Sequence, residues 1–293
     1  MKLCRFGPTG AEKPGLVDSD GRIRDLSAHV DDIGPDAIGP DGLARLAALD
    51  PASLPLVEGP VDGGLRYGPC VGGTRQFVAI GLNFVDHAHE SNLPIPEEPV
   101  VFQKWVSCIQ GPNDPVTVPK DSQKTDWEVE LGVVIGTAAN NVSEADALDH
   151  VAGYCVINDV SERHWQAERG MTWDKGKGFP TFGPVGPWLV TKDEVGDVQN
   201  LAMWLEVNGK RVQDGSTKTM IFNVAEIVAY LSQIMTLLPG DIITTGTPPG
   251  VGLGQKPEPW YLKAGDVVEL GIEKLGQQRQ DFVAWQPASG GAA

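Results

Sequence analysis

The sequence is poor in the residues that close a structural metal site or staple a small secreted fold. Its four cysteines, Cys4, Cys70, Cys108 and Cys155, are scattered with no CxxC pair, and it has only five histidines. That usage excludes a closed zinc site and points to reduced, buried thiols in a cytoplasmic protein. Positive charge is also short, with 23 Lys+Arg against 39 Asp+Glu and a formal net charge of -16. Nucleic acid and anionic membrane surfaces are therefore poor partners. An anionic small molecule stays open, because a metal or local cations can reverse the sign inside one pocket. No stretch approaches the ~20 apolar residues of a membrane span, and the opening MKLCRFGPTG has no apolar h-region.

Glycine and proline, by contrast, are frequent at 36 and 23, which favours many short strands joined by turns over a helical bundle. At 293 residues the chain has room for one large domain and a small one. Residues 1–70 read as a small N-terminal α/β domain. KLCRFG and KPGLVDSDGRIRDLS supply short strands around an Asp20-Gly21 turn, and PDGLARLAAL a short helix. Residues 71–285 read as the larger domain, with strands at FVAIG (77–81), VVFQK (100–104) and VAGYCVIND (151–159). A hairpin is expected about Asn208-Gly209. VAEIVAYLSQIMTLL (224–238) carries a helical period closed by Pro239-Gly240. There is no clean βαβ alternation, so the expected class is α+β and β-rich, a mixed β-sandwich or roll. The tail, 286–293, is expected to be disordered.

One strand carries more than packing. In TDWEVELGVVIG (125–136), Val129, Leu131, Val133 and Ile135 alternate as one apolar face. Glu128 and Glu130 share the other, with Cα atoms about 7 Å apart. Asp159, closing VAGYCVIND, offers a third carboxylate, and three anionic oxygens suit a hard divalent cation such as Mg²⁺ with part of its shell open. On spacing alone, a solvated glutamate pair and an N-capping aspartate explain the residues equally well.

Other segments hold candidate partners. Arg163 and Gln166 stand at i+4 and i+7 from Asp159, on one face if VSERHWQ is helical. His87 and Glu90, at i and i+3, make a histidine held by a carboxylate, the arrangement of a general base, although such a pair is also common on surfaces. Asp86 and His89 admit the same reading. TTGTPPGVGLG (244–254) is too rich in Gly and Pro for regular structure and brings backbone and the Thr247 hydroxyl close to something. It lacks the lysine and helix of a phosphate loop. WDKGKGFPTFGP is a second glycine-broken loop, holding Lys175 and Lys177 either as an anion hook or as ordinary solvated lysines.

In order along residues 77 to 275, GLNFVDHAHE, PVVFQK, DWEVELGVVIG, VAGYCVINDVSERHWQ, KGKGFPTFGPVGPWLV, VNGKRVQDGST, LPGDIITTGTPPGVG and LKAGDVVELGIEKLG resemble the fumarylacetoacetate hydrolase family, in its bacterial acylpyruvase-like branch. DVSERHWQAERG and WDKGKGFPTFGP look similar to the hydrolases of 2,4-diketo-3-deoxy-L-fuconate and -L-rhamnonate, apart from the pair Phe179-Pro180. The resemblance implies a homodimer and Mg²⁺, with Mn²⁺ or Ca²⁺ as alternatives, held by Glu128, Glu130 and Asp159. It implies His87 and Glu90 as the water-activating dyad. Lys177, Gln166 and Arg163 would surround the scissile carbonyl, Thr247 would meet the substrate carboxylate, and Lys104 would lie near the pocket. The implied reaction cleaves C3–C4 of a 2,4-diketo acid to pyruvate and a hydroxy acid such as L-lactate. Decarboxylation or tautomerisation of an oxo acid by the same metal-enolate chemistry is the alternative.

Overall fold

The structure, a computed structural model, describes residues 1–58, 64–90, 94–170 and 172–287, without the side chain of His89. The residues from 288 of the expected disordered tail, and the reading of His89, lie outside it.

The largest sheet has ten strands. Its order runs Ile23–Asp25, Lys13–Val17, Lys2–Phe6, Gly183–Thr191, Val151–Asn158, Val129–Ile135, Ile242–Thr244, Phe77–Gly81, Val100–Lys104, and Ile109–Gln110 pairs beside Gly183–Thr191. Most pairs are antiparallel. Ile242–Thr244 runs parallel to Phe77–Gly81, and Ile109–Gln110 parallel to Gly183–Thr191. Five further strands form a second sheet in the order Lys210–Ser216, Ala202–Val207, Val267–Ile272, Gly276–Ala284, Val116–Val118. It packs over the middle of the first. The β-rich α+β class expected from the sequence is the observed one, with mixed sheets and few helices.

Both faces of the central strand Val129–Ile135 are covered, so every residue in it is buried. That is why its acidic face continues as Gly132 and Val134 rather than as further polar residues. The strands of the first 25 residues extend this same sheet, with Lys2 opposite Val190 and Leu3 opposite Leu189. Asp18 accepts the Arg22 amide across the expected Asp20-Gly21 turn. The two Gly-Asp turns at 240–241 and 265–266 close alike. Asp241 accepts the Leu238 amide at 2.8 Å, and Asp266 the Lys263 amide at 2.9 Å.

Two helices differ from the sequence pattern. The helix Val224–Ile234 opens on a capping box, in which Asn223 and Glu226 accept each other's amides. It stops before Met235, four residues short of the period, because Leu237 is drawn into a bridge with Ala139. The segment VSERHWQ is not one helix from Asp159. Ser161–Glu162 pairs with Thr125–Asp126 as a short strand, and a π-helix follows over His164–Glu168. Arg163 and Gln166 still meet, but through that wide turn.

Candidate active site

Strand pairing assembles the three expected carboxylates. Val151–Asn158 lies antiparallel to Val129–Ile135, with Ile157 opposite Glu130 and Asn158 opposite Val129. Asp159 follows directly, its amide donating to Glu128 O at 2.9 Å. The start of the acidic strand is also gripped by side-chain amides. Asn158 accepts the Glu128 N–H and Gln213, from the second sheet, accepts that of Val129. One oxygen each of Glu128, Glu130 and Asp159 lies within 4.8 Å of the others, and all three side chains are buried. Among the described residues this is the one such group of three.

Two buried lysines and an arginine meet these acids. Lys177 Nζ donates to Glu128 Oε2 at 2.8 Å and to Asp159 Oδ2 at 2.7 Å. Lys104 Nζ donates to Asp159 Oδ1 at 2.6 Å. Arg163 donates through Nη2 to Glu128 Oε1 at 2.7 Å and through Nη1 to Gln166 Oε1 at 3.0 Å. Burial opposes ionisation of Glu128, but the charges of Lys177 and Arg163 outweigh it and hold that carboxyl well below its ordinary range. Glu130 is the opposite case. It makes no ion pair among the described residues, only bonds from Thr244 Oγ1 and the Gly246 amide. Burial, with the charges of Asp159 and Glu128, pushes its carboxyl well above the usual value. An all-oxygen, anionic, buried donor set with one carboxylate left without an ion pair fits a hard divalent cation.

The short helix Asp174–Lys177 delivers Lys177. Asp174 accepts the Gln103 amide at 2.9 Å, which ties this helix to Val100–Lys104. Gly176 lets it approach, since a Cβ there would stand 2.5 Å from Gln166 Cβ. The Arg163 bond fixes the Gln166 carbonyl, which turns the amide NH₂ into the available donor.

His87 and Glu90 sit on the helix Val85–Glu90, with His87 Nδ1 3.0 Å from Glu90 Oε2. Glu90 is held in turn by the Gly250 N–H at 3.1 Å. Gly250 has φ +107°, and a Cβ on it would collide with Val212 O, so the loop after Thr247 needs glycine there.

A cavity of about 400 Å³ brings these groups together. His87, Glu90, Glu128, Glu130, Arg163, Gln166, Lys177 and Thr247 line it; Asp159 and Lys104 do not. The three Arg163 nitrogens Nε, Nη1 and Nη2 are engaged by protein acceptors. Thr247 Oγ1 donates to Val129 O and accepts from Gln213, so its proton is committed. Phe179 packs on Trp165 and Phe182 and does not line the cavity. Asp126 escaped the sequence reading, though it binds Arg163 Nε at 2.8 Å and two loop amides. Its signal was its place two residues before Glu128, in step with the alternation of Glu128 and Glu130.

The model of the fumarylacetoacetate (FAA) hydrolase C-terminal family matches residues 76–283. The chain belongs to the fumarylacetoacetate hydrolase family. It is 65% identical over 280 residues, 96% of this chain and 98% of the other, to a protein of Burkholderia multivorans whose name says no more than hydrolase. The solved fumarylacetoacetate hydrolase of Exiguobacterium antarcticum is similar at 34% identity and TM-score 0.85, covering 97% of this chain and all of that one. The maleylpyruvate hydrolase of Sphingobium sp. SYK-6, solved with manganese(II) and pyruvate, is similar at 30% identity and TM-score 0.78, covering 98% and 100%. The cavity described above is thus the candidate active site of a fumarylacetoacetate hydrolase family enzyme.

Proposed function

We propose that the chain hydrolyses the C3–C4 bond of a 2,4-diketo acid, with 2,4-diketo-3-deoxy-L-fuconate or -L-rhamnonate as substrate, giving pyruvate and a hydroxy acid such as L-lactate. The observation that carries this reading is the meeting of two machines across one cavity. A histidine–carboxylate dyad faces Glu128 and Glu130, two members of a buried carboxylate triad that Asp159 completes from behind the wall. Decarboxylation of an oxo acid needs no activated water, so the dyad favours hydrolysis.

Glu128, Glu130 and Asp159 would hold the divalent cation, Mg²⁺ in this reading, which when bound supplies positive charge for oxygen-rich acids and for developing negative charge. His87, oriented through Nδ1 by Glu90, takes a proton from the water that attacks C4. The Lys177 ammonium and the Gln166 amide stabilise the oxyanion that develops on the C4 oxygen. The C3–C4 bond then breaks, the electron pair leaves with C3, and protonation of C3 yields pyruvate while the acyl part leaves as a carboxylic acid. Arg163, with Nε, Nη1 and Nη2 each donating to a protein acceptor, holds Glu128 and Gln166 in place and keeps two of its five N–H groups for the substrate. Lys104 acts on Asp159 from outside the cavity. Thr247 lines the carboxylate end, and would have to release Val129 O to donate to substrate. The working form in this reading is a cytoplasmic homodimer.

Product analysis on a panel of 2,4-diketo acids with Mg²⁺ or Mn²⁺, including acetylpyruvate, maleylpyruvate and both deoxy sugar acids, tests the proposal. Loss of the diketone absorbance with stoichiometric pyruvate is expected. A panel left intact, with oxaloacetate consumed instead, would replace hydrolysis by decarboxylation.

A further inference from the structure

Asp126 has no place in the chemistry above, yet it is fully buried and its two oxygens accept four hydrogen bonds. Oδ1 takes the Gly252 amide at 2.6 Å and the Trp127 amide at 2.8 Å. Oδ2 takes the Leu253 amide at 2.9 Å and Arg163 Nε at 2.8 Å. These donors come from two different walls of the cavity. Arg163 leads on to Glu128 and Gln166. The loop that carries Gly252 and Leu253 leads to Glu90, because the Gly250 amide holds that carboxylate, and a Cβ on Gly254 would stand 2.8 Å from its carboxyl carbon.

We propose that Asp126 is a positioning residue that locks the 250–254 loop to Arg163, so that the His87–Glu90 dyad and the acidic triad keep one relation across the cavity. The inference rests on the reading of the triad as a cation site. Its chemistry is specific to a carboxylate. All four partners are N–H donors, and only a group with two acceptor oxygens satisfies them. An asparagine of the same size has one acceptor. Whichever way its amide turns, the NH₂ faces either Gly252 and Trp127 or Leu253 and Arg163, so two donors lose their acceptor. The Trp127 indole still donates to Gly250 O in that variant, so the loosening should be local to Gly252 and Leu253.

The test is Asp126→Asn, read by Mn²⁺ calorimetry and by amide hydrogen exchange rather than by turnover. A partner that orients a ligand-holding group typically changes metal affinity by roughly 10–100-fold, so Mn²⁺ binding should weaken about tenfold with the circular dichroism spectrum unchanged. Exchange should quicken by about tenfold or more at whichever of Gly252 and Leu253 faces the NH₂, as expected for the loss of a bond to a charged acceptor. Unchanged exchange at both amides, or wild-type Mn²⁺ affinity, would overturn the proposal. If Asp126→Asn does not fold, the wild-type chain decides, because coupling is reciprocal. Mn²⁺ should slow exchange at Gly252 and Leu253, and no slowing counts against the lock. A wild-type chain that binds no Mn²⁺ overturns the metal reading instead, and the loop exchange of Asp126→Asn alone then judges Asp126.

Discussion

Lys177 Nζ stands 2.8 Å from Glu128 Oε2 and 2.7 Å from Asp159 Oδ2, so one ammonium satisfies two of the three carboxylates expected to hold a cation. Burial alone would strip its proton, but Asp159 and Glu128 outweigh burial and raise its affinity for the proton above the ordinary lysine value. The lysine is therefore a fixed positive charge at the cavity wall. In the proposed reading it would compete with a divalent ion for the same oxygens while serving the oxyanion.

Lys177→Met separates these roles. Loss of an oxyanion donor lowers kcat by roughly 10²–10³, whereas Mn²⁺ affinity should stay level or rise, because the competing ammonium is gone. Glu128→Gln should instead lose Mn²⁺ binding and activity together. Calorimetry beside steady-state kinetics distinguishes the two, and a Lys177→Met enzyme with normal kcat removes the lysine from the chemistry.

Glu130 makes the metal dependence of stability a function of pH. Its folded-state carboxyl titrates above the ordinary 4.5 through burial and the charges of Asp159 and Glu128. Its contribution is therefore fully present below about 4.5 and is lost as pH rises through the folded value. Glu128, held low by Lys177 and Arg163, behaves in the opposite sense and loses its contribution as pH falls below 4.5. In chelator, Glu130 should thus cost stability as pH rises from about 5 to 8, and Mn²⁺ should restore more at 8 than at 5. A hundredfold excess over Kd adds about 2.7 kcal/mol, or roughly 5–10 °C in Tm. Glu130→Gln should flatten the pH trend in chelator and abolish the Mn²⁺ gain. A Tm gain from Mn²⁺ that is the same at both pH values speaks against this account.

Much of this site was legible because strand chemistry is local. The alternation around Glu128 and Glu130, the turn at Asn208-Gly209 and the strands at 77–81 and 100–104 all follow from residues within a few positions of each other. What stayed hidden depends on distant partners. Nothing in KLCRF names Gly183–Thr191 as its neighbour, and nothing in TLL reveals that Leu237 will leave the helical period to meet Ala139. Asp126 was opaque for the same reason, and for Lys104, expected near the pocket, it was the partner Asp159 that stayed hidden. Their roles lie in donors and acceptors tens of residues away, at Gly252, Leu253, Arg163 and Asp159.

The dyad makes its own prediction. With His87 Nδ1 against Glu90 and Glu90 against the Gly250 amide, the ring is oriented with Nε2 as its remaining nitrogen. His87→Ala should cut diketo-acid hydrolysis by roughly 10²–10⁴, and Glu90→Gln should cut it by less. Any oxaloacetate decarboxylation should survive both changes. Equal loss of the two activities would place His87 in substrate binding rather than in proton transfer.

The acyl end of the substrate can be read through Lys256. Three cations line the cavity, Arg163, Lys177 and Lys256. The first two are bound to carboxylates, while Lys256 is exposed and has no ion pair among the described residues. The same cavity is also lined by the apolar Phe102, Trp173 and Leu253. A diketo acid with a second carboxylate on its acyl part gains a charge pair there, whereas a deoxy sugar acid gains a hydroxyl contact. An exposed pair is worth about 0.2–1 kcal/mol, so Lys256→Met should raise KM for a diacid such as maleylpyruvate by up to about fivefold. It should leave acetylpyruvate and both kcat values unchanged. A KM shift confined to the deoxy sugar acids would place their hydroxyls at Lys256, and equal shifts for every substrate would take Lys256 out of acyl recognition.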